Sequence, residues 1–137
     1  MSFTNPGPQA TAEILKNSST IAVVGLSDNP ARTSFQISEA MQKAGYKIIP
    51  VNPKVTEVLG KKAVSSLQDI EEKIDIINVF RRSEFLPEVA REAKAIDAEA
   101  FWAQQGVFHP EAYEELKDSK QEVIMDSCIK VAHATLL

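Results

Sequence analysis

Apolar positions along this chain follow two rhythms. Short continuous runs appear at TIAVVG (20–25), YKIIPV (46–51), DIINVF (75–80), AEAFWA (98–103) and EVIMD (122–126). Each has the length of a strand, and unbroken runs of this kind suit strands buried on both faces of a parallel sheet. Between them the spacing changes to that of a helix. Phe35, Ile37, Ala40, Met41 and Ala44 recur on one side of TSFQISEAMQKAG (33–45), with Thr33 or Ser34 expected to cap its start and Gly45 to close it. EFLPEVAREAKAID (84–97) predicts a further helix, with Ser83 as cap and Pro87 in the first turn. HPEAYEELKDS (109–119) is opened by Pro110, and IKVAHATLL (129–137) predicts a terminal helix. Ahead of the first strand, TAEILKNSS (11–19) predicts a short helix capped by Thr11, while residues 1–10 read as a flexible surface segment. SLQDIEEK (66–73) is a short helical piece within a loop.

Strand and helix therefore alternate. That order predicts an α/β fold: a Rossmann-like, doubly wound, parallel five-stranded sheet with helices on both faces, spanning residues 11–137 as one domain. The expected spatial order of the strands is 3-2-1-4-5.

Such sheets bind ligands outside the carboxyl ends of their strands. The five segments at that edge are GLSDNPARTS (25–34), NPK (52–54), RRS (81–83), QQGVF (104–108) and DSC (126–128). They gather Arg32, Lys54, Arg81 and Arg82 with Ser27, Asn29, Asn52, Gln104 and Gln105. The chain as a whole has a net charge of −4, so this local surplus of cations points to an anionic ligand rather than to charge-driven binding of nucleic acid. Gly25 permits close backbone approach, and the helix after it offers free N–H groups to a phosphate, with Arg32 beside them. A polar loop with an ordinary helix cap is the plainer reading of the same turn.

Which nucleotide is a separate question. A dinucleotide fingerprint carries three glycines where only Gly25 stands, and an NAD site places an acidic residue at the end of the second strand. PVNPK (50–54) supplies Lys54 instead. A cation there suits NADP as well as a ribose 3′-phosphate, so this position by itself leaves both open.

Composition sets limits. With 44% apolar and 25% charged residues over 137 positions, the chain fits one globular domain. A lone cysteine, Cys128, rules out an intrachain disulfide and suggests a cytoplasmic setting. No apolar run approaches the about 18–20 residues that span a membrane, and the N-terminus lacks a secretory pattern. No His/Cys/Asp/Glu group has zinc-like spacing. His109 reads as a cap or loop residue and His133 as a surface or packing residue. Phe101, Trp102 and Phe108 read as core or pocket wall. Cys128, just before a helix, is open to two readings: a buried apolar thiol, or one able to form a mixed disulfide with a thiol ligand. RRSE (81–84) likewise reads either as ligand contacts or as a solvated helix start in which Glu84 pairs an arginine.

IAVVGLSDNPARTS, GYKIIPVNPK, VLGKKAVSSL, DIINVFRRSEFLPE, FWAQQGV and VIMDSCIKVAH follow one another in this chain with the order and spacing of a known family. Over roughly residues 11–133 the sequence resembles the small single-domain CoA-binding proteins, which are similar to the N-terminal CoA-binding domain of the succinyl-CoA synthetase alpha subunit. The resemblance implies a Rossmann-like fold that holds coenzyme A or an acyl-CoA. By that likeness Gly25, Ser27, Asn29 and Arg32 cradle the pyrophosphate, with Ser34 in the same turn. Asn52, Pro53 and Lys54 meet the adenosine end. Phe80, Arg81 and Arg82 run along the nucleotide or the start of the pantetheine arm, and Gln105 and Gly106 line the mouth. Cys128 then stands as the candidate partner of the CoA thiol. The synthetase has a second domain with a phosphorylated histidine and a turn richer in glycine, so its ligase chemistry is not implied. The expectation is a binding module without catalytic machinery, taking neither nucleic acid nor membrane as partner, either as a homodimer or with an unknown protein. The competing expectations are an NAD(P)-binding enzyme or redox sensor, and a subunit or regulator of an acyl-CoA ligase.

Overall fold

In the computed structural model, which describes residues 3–137, the five apolar runs form one parallel sheet. Its strands are β1 (Thr20–Val24), β2 (Lys47–Val51), β5 (Ile76–Val79), β6 (Ala100–Ala103) and β7 (Glu122–Ile124). A two-stranded antiparallel ribbon, β3 (Glu57–Val58) and β4 (Lys61–Lys62), lies between β2 and β5 in sequence. The helices are α1 (Pro8–Asn17), α2 (Thr33–Lys43), α3 (Leu86–Lys94), α4 (Pro110–Leu116) and α5 (Ile129–Leu136). No helix among the described residues is long and apolar enough to cross a membrane.

The strand order is β2-β1-β5-β6-β7. Counting only strands of the main sheet, that is 2-1-3-4-5, which corrects the expected 3-2-1-4-5. Pro50 supplies the physical reason. Lacking an N–H, it cannot donate to a second neighbouring strand, and prolines within sheets are confined to edges. In the expected order the second strand is interior; in the observed order it is an edge, paired only with β1 inside the sheet. β5, with Ile76 and Ile77 fully buried, takes the central place.

Side-chain alternation along the strands divides the core in two. Ile21, Val23, Ile48, Ile76, Trp102 and Ile124 pack under Leu15, Ile37, Met41 and Ile129 of α1, α2 and α5. Ala22, Val24, Ile77, Val79, Phe101 and Val123 pack under Leu86, Val89, Ala90, Ala93 and Leu116 of α3 and α4. Phe101 and Trp102 are therefore core residues, and the Trp102 Nε1–H donates to the Ser127 carbonyl at 2.9 Å. Phe108 is instead 45% exposed, tilted against Phe3.

The helix ends differ from expectation in instructive ways. α1 begins at Pro8, not Thr11; Thr11 lies inside it and its hydroxyl donates to the Gly7 carbonyl. Ahead of the helix, the Asn5 side-chain amide brackets Met125, donating to its carbonyl at 2.8 Å and accepting from its N–H at 2.9 Å. The N-cap position of α2 is Arg32, and no side chain caps the helix. Ser34 lies in the first turn and accepts from the Ser27 N–H at 3.0 Å. Gly45 closes α2 at φ +110°, as expected. Ser83 does not cap α3. It opens a 3₁₀ turn (Ser83–Phe85) before it, and its hydroxyl donates to the Gly106 carbonyl and accepts from the Phe108 N–H. His109 is the N-cap of α4, its Nδ1 accepting from the Glu111 N–H at 3.2 Å.

Candidate functional site

The chain leaves β1 toward α2 on one face of the sheet and leaves β5 toward α3 on the other. Adjacent loops that part in this way open a crevice, the switch point of a doubly wound sheet. Here it lies between Gly25 and Phe80. The Phe80 N–H donates to the Val24 carbonyl and the Gly25 N–H to the Val51 carbonyl, both at 2.9 Å. These bonds carry the ladder one residue past the strands and set Gly25, Asn52 and Phe80 side by side. Gly25 has φ +88°, and a Cβ there would lie 3.4 Å from the Phe80 backbone. Its missing side chain lets the two loops approach.

Around this point lie two cavities that share Gly25, Asn52, Lys54 and Phe80. One, of about 550 Å³, is finished by Ser27, Asp28, Ala31, Arg32, Thr33, Ser34 and Val55 at the start of α2. The other, of about 490 Å³, is finished by Pro53, Ser65, Ser66, Arg81, Arg82, Phe85, Glu88 and Glu92, with Val24, Val51 and Leu67 at its base. Together they form a two-lobed groove.

The α2 lobe suits an anion. The first turn of α2 has no acidic residue and no side chain on its free N–H groups, so the positive end of the helix faces the lobe. The second lobe has polarity. Lys54, Arg81 and Arg82 line it together with Glu88 and Glu92, which lie one helical turn apart on α3. Arg81 lies 4.6 Å over the Phe85 ring, which steadies the guanidinium without neutralising it. Arg82 is 3.6 Å from Glu84 with both side chains mostly exposed, a weak pair that a stronger anion displaces easily. The solvated-start reading of RRSE is thus present in this loop together with its place in the groove. Among the described residues no carboxylate lies within ion-pairing distance of Arg32, Lys54 or Arg81.

Of the residues singled out in the sequence, Gly25, Ser27, Arg32, Ser34, Asn52, Pro53, Lys54, Phe80, Arg81 and Arg82 line the groove. Three do not. Asn29 shapes its own turn, its Oδ1 accepting from the Ala31 N–H. Gly106 is held between the Asp126 carboxylate and the Ser83 hydroxyl. Gln105 lines a separate cavity with Cys128, Val131 and Leu136 against α5. Gln104 is buried, and its side-chain oxygen accepts from the Ile129 N–H. Sequence reasoning missed Ser65, Ser66, Phe85, Glu88 and Glu92. Among the described residues no group of three or more His, Cys, Asp or Glu is placed to hold a metal.

Known proteins share this fold. A family described as CoA binding domain matches residues 19–134. An uncharacterized protein of Bacillus subtilis (strain 168), YneT, is 62% identical over 95% of this chain and 96% of its own length. The structure of cell-free ID.343 from Thermus thermophilus superposes with a TM-score of 0.92 at 34% identity, covering 96% of this chain and 100% of that one. An ADP-forming acetate–CoA ligase of Methanocaldococcus jannaschii is 29% identical over 53% of this chain, a stretch that makes up only 10% of the ligase.

Proposed function

The chain belongs to the CoA-binding domain family, and from that premise we propose that it binds coenzyme A or an acyl-CoA in the two-lobed groove, as a binding module without catalytic machinery of its own. The observation that carries this reading is the groove itself: two cavities joined at Gly25 and Lys54 and edged by Arg32, Lys54 and Arg81, which have no ion-pair partner among the described residues, in a chain of net negative charge. Coenzyme A is an elongated ligand with a pyrophosphate, a ribose 3′-phosphate and a neutral arm, and a long, locally cationic groove matches it.

In this reading the free N–H groups of α2 and the Arg32 guanidinium receive phosphate oxygens. Ser27 and Ser34 add hydroxyls, and Lys54, Arg81 and Arg82 supply the remaining positive charge. Phe80 and Pro53 offer apolar surface. The end of β2 argues against an NAD-type ribose clamp, because Asn52, Pro53 and Lys54 stand where the acidic residue is needed.

Calorimetric titration with CoA, NAD⁺, NADH and NADP⁺ tests the proposal. Saturable heat with CoA and none with the nicotinamide nucleotides is the expected result. No heat and no thermal shift with CoA, together with a response to NAD(H), would overturn it.

A further inference from the structure

The two lobes share a wall, and Asn52 is its fastening. Its Nδ2 donates to the Leu26 carbonyl at 3.0 Å, reaching across to the β1–α2 loop. Its Oδ1 accepts from the Lys54 N–H at 2.9 Å, bending its own loop back. Its backbone N–H donates to Val64 and its carbonyl accepts from Val55. Every polar group of the residue thus has a partner within the protein, and both side-chain bonds run to loops that carry groove residues. The two bonds fix the orientation of the amide and leave it one N–H and one oxygen lone pair.

We propose that Asn52 is a positioning residue: it clasps the Leu26 and Lys54 loops together and so sets the Lys54 cation at the junction of the lobes, without touching the ligand itself. The inference rests on the CoA reading of the groove, but the clasp is measurable without any ligand.

The test has two arms. In ligand-free protein, hydrogen exchange at the Lys54 amide quickens in Asn52→Leu, while the central strands keep their protection. Unchanged exchange at that amide overturns the clasp whatever the groove binds. In the second arm CoA affinity is measured for Asn52→Leu, Asn52→Ser and Lys54→Met, and for Asn52→Leu in the Lys54→Met background. Loss of both side-chain bonds weakens binding about tenfold. Asn52→Ser keeps an acceptor for the Lys54 N–H and loses less. With Lys54 already replaced, Asn52→Leu weakens binding by less than about threefold, because contacts that act as a unit are not additive. A full, additive loss in that background shows that Asn52 meets the ligand directly and overturns the proposal. Wild-type protein that binds no CoA defeats the reading of the groove, and the exchange arm then judges the clasp alone.

Discussion

Gly25 bears two constraints that separate experiments distinguish. Its φ of +88° is strained for any residue with a Cβ, and it also sits at the centre of the groove, against the Phe80 backbone. Gly60 shares the first constraint, at φ +73°, but a Cβ there meets nothing within 4 Å, and it lines neither lobe. Alanine at either position therefore lowers stability by about 1–2 kcal/mol, the penalty of a left-handed L-residue. Only Gly25→Ala also weakens CoA binding. Urea unfolding and calorimetry on both variants check this, and equal losses of affinity would contradict it. The same distinction explains how far the site was legible. Gly25, Lys54, Arg81 and Arg82 follow directly on strands, so periodicity alone put them at one edge. Ser65 and Ser66 reach the groove by another route, because Val64 bridges to Val51 beyond the ribbon, and no hydrophobic rhythm marks that path. Glu88 and Glu92 lie within a predicted helix, where nothing in the sequence sets them apart as groove residues. Asn29 is read from its place at the strand-end edge and Gly106 from the family likeness; in the structure both make hydrogen bonds that shape their loops.

Single residues also decide how the elements assemble. Pro50 fits the edge place of β2, a signal that the alternation of strands and helices does not contain and that the expected order left unused. The β3–β4 ribbon was harder to see, since its two-residue turn places Leu59 at φ +56° before Gly60, where asparagine or aspartate is the usual signal. Between helices, Tyr46 is the tie. It follows the Gly45 turn, its hydroxyl donates to the Leu15 carbonyl of α1 at 2.7 Å, and its ring meets His133 of α5 edge-on at 5.6 Å. Burial pushes the Tyr46 hydroxyl above the ordinary tyrosine range. A phenol harder to ionise folded than unfolded contributes stability that is intact below the unfolded value, about 10, and is lost as pH rises through the folded one. Thermal unfolding between neutral pH and pH 11 will show a decline that begins near the unfolded value. Tyr46→Phe will be less stable by about 1 kcal/mol at neutral pH and will decline less steeply in the alkaline window. Parallel curves for the two proteins would place the alkaline loss elsewhere.

At the scale of the whole molecule, the charge of the groove and the charge of the protein have opposite signs. The chain carries a net −4, and its proposed ligand is a polyanion. At low salt the Debye length is about 30 Å at 0.01 M, so an approaching CoA feels the whole negative protein before it feels Arg32, Lys54 or Arg81. Near 0.15 M the length is about 8 Å, and only the nearby cations act. Salt therefore relieves long-range repulsion in the encounter while it weakens short-range attraction in the complex. For oppositely charged partners, salt slows association; here association should hold steady or quicken, and dissociation should carry the loss of affinity. Stopped-flow measurement of both rates between about 0.01 and 0.2 M salt, a range over which the Debye length shortens several-fold, decides the matter. An association rate that falls steeply with salt would mean that the cationic edge governs the field far from the surface. Removing one cation sharpens the test. Lys54→Met will raise the dissociation rate and flatten its dependence on salt, with little effect on association, because a charge at the junction of the lobes is felt mainly by a ligand already seated there.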